Sequence, residues 1–237
     1  MALRKVVYKG EEFPISYEMM GEGPDIIFLH GWGSNKEVMK SAFGKMDGFR
    51  KLFIDMPGFG KSPNDAVLTT QDYANIIDRF LEDIKVSKEI IVGHSFGGKV
   101  ATLLQPKLLV LLSSAGIVEK KPLSVRMKIA LFKLLKPFGG AKIRELFVSK
   151  DAKGVSQNMY ETFKNVVDED FRPVFERYDK EAILFWGKED RATSLKSGKE
   201  IAKLLGAKLY ELDGDHYFFL RHPKFIERTI KESYEKL

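Results

Sequence analysis

Cysteine is absent from this chain of 237 residues, which excludes disulfides, a thiol nucleophile and any cysteine-ligated metal. Histidine is scarce, with four positions in all, so chemistry that needs an imidazole has few places to sit. No stretch approaches the roughly 18 consecutive apolar residues that span a bilayer. The first residues, Met1-Ala2-Leu3-Arg4-Lys5-Val6-Val7, hold no apolar core long enough for a secretory signal. The expected setting is therefore soluble and cytoplasmic. Internal repeats and low-complexity tracts are also missing, which excludes a solenoid and leaves a globular chain. Its 44% hydrophobic and 30% charged residues suit that reading. The length fits one domain, or one domain carrying an insertion.

The net charge of +6 is unevenly placed. Lys120, Lys121, Arg126, Lys128, Lys133, Lys136, Lys142, Arg144, Lys150 and Lys153 face only Glu119, Glu145 and Asp151 between residues 117 and 154. That excess is larger than the charge of the whole chain, so the basic character belongs to one segment. No groove-reading or base-stacking motif accompanies it, and nucleic acid is not an expected partner.

Hydrophobic patterning predicts an alternation of strands and helices. Residues 4–9 and 12–17 read as two short antiparallel strands joined by a glycine-containing turn. Residues 25–30 form a continuous apolar run, the mark of a strand buried on both faces; 50–54 is the next strand, and the runs at 90–94 and 108–112 are also read as strands. Helices are expected over 36–46 and 70–84, the latter with Tyr73, Ile76, Ile77, Phe80, Leu81 and Ile84 at helical spacing. After Gly116 the alternation stops, and residues 117–172 read as helical, with a break at Pro137-Phe138-Gly139-Gly140. It resumes with a strand over 182–186, a helix over 194–205, a strand over 208–212 and a closing helix over 225–237. Strands alternating with helices predict a mostly parallel sheet covered on both faces. The expected organisation is a core made of residues 1–116 and 173–237, with 117–172 inserted as a helical lid.

The stretch Ile90-Ile91-Val92-Gly93-His94-Ser95-Phe96-Gly97-Gly98 carries the chemistry. An apolar strand ends in Gly-x-Ser-x-Gly and a helix-compatible run follows at once, the pattern of a nucleophile elbow. A turn this tight strains the serine backbone and leaves no room for side chains two residues before and after it, which Gly93 and Gly97 supply. Only nine residues separate Gly98 from the strand at Leu108, so the helix behind the serine has room for about two turns.

A serine hydroxyl needs a base, and the base needs an orienting group. His30 lies in a glycine loop that its hydrogen bonds would shape. His94 adjoins Ser95 and is expected to point away across the elbow. His222 precedes Pro223 at a helix start. His216, in Gly214-Asp215-His216-Tyr217 after the last predicted strand, is the favoured base. The acid should lie after the preceding strand, in Trp186-Gly187-Lys188-Glu189-Asp190-Arg191; Asp190 is favoured and Glu189 is its neighbour. Asp190 read alone fits equally well as a cap of the helix that follows, and Asp213 and Asp215 lie too near His216 to reach its far nitrogen. Two N–H donors are needed for an oxyanion: the amide of Phe96, directly after the serine, and that of Trp32 in Gly31-Trp32-Gly33. The Trp32 ring fits either core packing or the wall of a substrate pocket.

Taken together these motifs resemble the α/β-hydrolase superfamily. His30-Gly31-Trp32-Gly33 is similar to its oxyanion loop, and Asp55-Met56-Pro57-Gly58-Phe59-Gly60-Lys61-Ser62 to the loop after its next strand. Gly93–Gly98 is similar to its elbow, Gly187-Lys188-Glu189-Asp190 to its acid loop and Gly214-Asp215-His216 to its histidine loop. The resemblance covers nearly the whole chain outside residues 117–172. It implies a serine hydrolase of carboxylic esters that needs no metal or organic cofactor. The His-Gly-Trp-Gly form resembles small carboxylesterases, including those that cleave pimeloyl-carrier-protein methyl esters. Hydrolases of carbon–carbon bonds in ring-cleavage products share the scaffold but usually carry His-Gly-x-Gly-Pro-Gly. A receptor that keeps the fold and binds a small molecule without turnover is the reading from a different class.

Residues 122–136 are expected to form a helix with Leu123, Met127, Ala130, Leu131, Leu134 and Leu135 on one arc and Arg126, Lys133 and Lys136 opposite. Such a helix suits a lid with a solvated outer face. The same basic face suits an acidic acyl carrier protein, an anionic substrate or an anionic membrane surface.

Overall fold

The computed structural model describes residues 2–119 and 156–237. The helix expected over 122–136, the break at 137–140 and most of the basic segment lie outside the described residues. In chain order the elements are β1 (Ala2–Tyr8), β2 (Glu11–Met20), β3 (Asp25–Leu29), α1 (Lys36–Phe43), β4 (Arg50–Ile54), α2 (Thr70–Asp83), β5 (Ile90–His94), α3 (Phe96–Leu103) and β6 (Leu108–Leu112). Then come α4 (Gln157–Val167), α5 (Arg172–Glu176), β7 (Glu181–Gly187), α6 (Leu195–Leu205), β8 (Lys208–Leu212), a 3-10 turn at Phe218–Leu220 and α7 (Pro223–Tyr234).

The strands form one eight-stranded sheet in the order β1-β2-β4-β3-β5-β6-β7-β8. β1 and β2 form an antiparallel hairpin, and β2 pairs antiparallel with β4. Every pairing from β4 onward is parallel. The hairpin turns on Lys9 and Gly10, both at positive φ, the primed geometry whose twist matches two antiparallel strands. The sheet is thus the mostly parallel α/β sheet that the patterning predicts.

Continuous apolar runs form these strands because both faces are covered. Ile27, Leu29, Ile91, Leu109, Leu111, Leu184 and Trp186 pack on one side with α2, α3 and α6. Their alternating neighbours Ile26, Phe28, Ile90, Val92, Val110 and Phe185 pack on the other with α1, α7 and the 3-10 turn. The parallel strands all end at one edge. There the loops after β3, β4, β5, β6, β7 and β8 deliver His30–Trp32, Asp55, Ser95, Ser113, Asp190 and His216. β3 is flanked by β4 and β5, so chain connections diverge on either side of it and open a crevice at that edge.

Several boundaries differ from the sequence reading, among them the end of α1 and the start of α7. α1 stops at Phe43 and not at 46: Gly44 still donates to the Lys40 carbonyl at 2.8 Å as a helical residue does, but Met46 donates to the Phe43 carbonyl at 3.1 Å, a tighter i→i−3 bond that ends the last turn. α7 begins at Pro223, whose fixed φ suits a first helical position, two residues before the expected start. Residues 218–220 form a separate short turn that carries no helical period. Of the described residues in the segment expected to be helical, α4 is helical but 117–119 and 168–171 are not, and α5 begins only at its last residue.

Candidate active site

Ser95 sits between β5 and α3 at φ +51° and ψ −116°, a left-handed conformation that costs a non-glycine residue about 1–3 kcal/mol. The turn holds it there. The Ser95 amide donates to the Leu112 carbonyl at 3.1 Å, and its own carbonyl accepts from Gly98 and Ala115 at 3.0 Å each. A Cβ on Gly93 would strike the backbone of Gly97 and Gly98, and one on Gly97 would strike the carbonyls of Leu29 and His30. Gly98 is equally constrained, because a Cβ there would meet the Ser114 side chain. The elbow therefore packs directly on β3 and on the loop after β6.

His216 and Asp190 come from the loops after β8 and β7. The His216 Nδ1 lies 2.8 Å from Asp190 Oδ2, with the carboxylate side chain fully buried and the imidazole 17% exposed. The other oxygen of Asp190 accepts from the amides of Ala192 at 2.8 Å and Thr193 at 3.0 Å. Asp190 thus organises its own turn and faces the histidine at once, while Ser194 caps α6 by accepting from Ser197. Burial opposes ionisation of Asp190, but the hydrogen bond and charge of His216 outweigh it and bring the pKa down to about 2. Glu189 turns away and accepts from the Gly214 amide at 2.5 Å, bracing the histidine loop. Asp213 pairs with Lys188 at 2.7 Å, and Asp215 accepts from the Tyr217 amide at 2.9 Å.

The remaining histidines are occupied elsewhere. His30 donates from Nδ1 to the Gly31 carbonyl at 2.8 Å and accepts from the Met56 amide at Nε2, 3.1 Å. Burial lowers its pKa to about 4. His94 donates from Nε2 to the His216 carbonyl at 3.0 Å, and its ring centre lies 4.6 Å from that of His216. Burial, followed by the His216 charge, lowers its pKa to about 3. His94, expected to point away from the serine, lines the same cavity as Ser95 and steadies the histidine loop. His222 contacts the Asp213 carbonyl at 2.8 Å.

A cavity of about 410 Å³ brings these groups together. Ser95, His216, Trp32 and Phe96 all line it, with Ala115, Phe163, Val166, Val167, Ala192, Thr193 and Tyr217. Trp32 meets Phe59, Phe96 and Phe163 at ring-centre distances of 4.8, 5.6 and 5.3 Å, so it packs against core aromatics and walls the cavity too. Phe96 is the first residue of α3, where an amide has no partner within its own helix. Among the described residues no group of three or more acidic or histidine side chains could hold a metal ion, and no helix is long and apolar enough to cross a membrane.

Two features escaped the sequence reading. The Thr193 hydroxyl lies 3.0 Å from Asp190 Oδ2, 3.0 Å from the Ser113 carbonyl and 3.5 Å from His216 Nδ1. Its only signal is Asp-x-x-Thr spacing in a loop. Phe163, Val166 and Val167 form the far wall of the cavity; their three- and four-residue spacing on α4 was legible, but not its destination.

This arrangement of strand-end loops is matched by a known family. The model for the alpha/beta hydrolase family covers residues 26–229. The chain belongs to this family. Its relatives carry hydrolase names. A pimeloyl-[acyl-carrier protein] methyl ester esterase from Vibrio campbellii is 33% identical over 116 residues, covering 46% of this chain and 44% of that protein. One from Vibrio atlanticus is 28% identical over 163 residues, covering 68% and 54%. The matches thus span about half the length of these two relatives. Among solved structures, an esterase from Exiguobacterium antarcticum superposes with a TM-score of 0.77 at 18% identity, covering 98% of both chains. At that identity the likeness is one of fold.

Proposed function

We propose that this protein cleaves carboxylic esters through an acyl-enzyme on Ser95. His216 takes the Ser95 proton at Nε2 while its Nδ1–H donates to Asp190. Asp190 fixes the tautomer and stabilises the imidazolium that forms. The Ser95 oxygen attacks the acyl carbon, and the backbone N–H groups of Phe96 and Trp32 hold the developing oxyanion. Collapse expels the alcohol, which takes its proton from His216. Water deprotonated by His216 then attacks the acyl-enzyme, and collapse releases the acid as the Ser95 oxygen takes back that proton from His216. The observation that carries this reading is the buried Asp190–His216 contact of 2.8 Å opening on the cavity that holds strained Ser95.

The substrate side rests on the apolar lining. Trp32, Phe96, Phe163, Val166 and Val167 suit the acyl chain of a small or medium ester. The esterase names of the relatives support the same bond type. We further propose that residues 117–172 act as a helical lid over a cytoplasmic enzyme, and that its basic residues receive an acidic acyl carrier. The names of those relatives and the charge between residues 117 and 154 support that partner.

The test is turnover of p-nitrophenyl esters of increasing chain length by the protein and by Ser95→Ala. Serine-dependent release of p-nitrophenol is expected. A folded protein that turns over none of them would favour the receptor, and turnover only of a vinylogous diketone would favour carbon–carbon hydrolysis. For the carrier, changing Arg126, Lys128 and Lys133 together to Glu should weaken turnover of a carrier-bound ester and spare small esters. Equal loss on both would contradict that partner.

A further inference from the structure

Lys99 is a buried cation that the proposed chemistry does not use. It lies on α3, four residues beyond Ser95, and is 1% exposed. An ammonium buried this deeply costs several kcal/mol unless its donors are met, and an apolar side chain would fill the same space without that cost. Its partners all lie on one stretch of chain. The Lys99 Nζ donates to the Val166 carbonyl at 2.7 Å, pairs with Glu169 Oε2 at 2.7 Å, and lies 4.6 Å from the centre of the Phe171 ring. An ammonium has three donors, and two acceptors and one ring face meet them. Burial pushes the Lys99 pKa down, with Glu169 opposing.

The tethered stretch is the end of α4. Val166 supplies a last-turn carbonyl, where a cation is favoured by the helix dipole. Glu169 is held in turn by the Thr70 hydroxyl of α2 at 2.5 Å. Earlier on α4, Thr162 accepts from the Leu68 amide at 3.0 Å and Asn165 donates to the Leu68 carbonyl at 3.3 Å. Those bonds hold the helix toward the loop before α2; the link from its end to the elbow helix is Lys99. Phe163, Val166 and Val167 face the cavity from this same turn.

We propose that Lys99 is a positioning residue that sets the depth of the acyl pocket, by fixing the end of α4 relative to the helix that follows the nucleophile. This rests on the ester reading above and names the part of the site that selects chain length. Longer acyl chains meet the wall that the tether holds, whereas an acetyl group does not reach it.

The test compares Lys99→Met and Glu169→Gln with the unaltered protein on p-nitrophenyl acetate, hexanoate and octanoate, together with hydrogen exchange across the chain. Lys99→Met keeps the length and apolar volume while removing the ammonium. For hexanoate and octanoate, kcat/KM should fall about ten-fold, chiefly through KM, the size of effect expected from a misfitted methylene or two. Acetate turnover should stay nearly unchanged. Amides of residues 163–168 should lose exchange protection while β5 keeps its own. Glu169→Gln, at a partly exposed position that tolerates the change, should move both readouts in the same direction. An equal loss on all three esters, an unchanged chain-length profile, or unchanged protection of residues 163–168 would overturn the tether. If the unaltered protein turns over no ester, the ester reading falls and the exchange comparison alone decides whether Lys99 holds α4.

Discussion

Ser95 at φ +51° and ψ −116° occupies the mirror image of an ordinary extended residue, a region that glycine enters freely and serine does not. If Ser95 is the nucleophile as proposed, removing the strain should trade activity for stability. Ser95→Gly is expected to abolish turnover and to stabilise the fold by about 1 kcal/mol, read as a raised thermal midpoint. Ser95→Ala should abolish turnover without that gain, because its Cβ keeps the strain. At Asp190 the effect is on the base. Asp190→Asn keeps the shape but lets the wrong His216 tautomer form, and kcat should fall about 10⁴-fold, measured on any ester the protein accepts. The contact between His216 and Asp190 was legible because four histidines leave few alternatives and strand-end loops fix which acid can reach. Thr193 and Lys99 were not, since a single hydroxyl or amine carries no period and its meaning depends on partners far along the chain.

At the level of elements, the buried strands were the most legible part. β4 and β6 match the sequence reading at both ends; β6 is apolar throughout, and β4 is bounded by the Pro/Gly loop that follows Ile54. Helix ends were less so: the chain tightens after Gly44 and ends α1 early, and the 3-10 turn before α7 gives no periodic signal. The elbow helix α3 is eight residues long, as short as its sequence allows, and its position is fixed by glycines and not by length. Gly97→Ala should therefore be severe, since its Cβ would strike the Leu29 and His30 carbonyls of the neighbouring strand. A loss of about 2–4 kcal/mol in urea unfolding is expected, as for other overpacked or strained backbone sites, with turnover lost as the serine shifts. The pocket wall on α4 shows the limit of periodicity, which marks an apolar face but does not say what that face covers.

For the whole molecule, the buried histidines set the response to acid. His30 and His94 have pKa values lowered by burial to about 4 and about 3, against an ordinary 6.5. Between those values the unfolded chain binds protons that the folded chain refuses. Stability is therefore full above pH 6.5 and falls as the pH drops, with about two protons taken up on unfolding near pH 5. Asp190 adds a later loss. Its pKa is lowered from 3.8 to about 2, so its stabilisation is present above pH 3.8 and disappears as the pH falls toward 2. Urea unfolding from pH 7 to 4 should show this decline, and a flat profile would contradict the neutral, buried state of both imidazoles.

The central proposal is that Ser95, activated by His216, is the nucleophile of this protein. An alkyl fluorophosphonate tests it directly, because it phosphonylates an activated serine irreversibly, and peptide mass mapping then locates the adduct. A single adduct on the peptide carrying Ser95, formed by the unaltered protein and not by a folded His216→Ala variant, is the predicted result. An adduct on another residue, one that forms equally without His216, or none at all on the folded protein would contradict it.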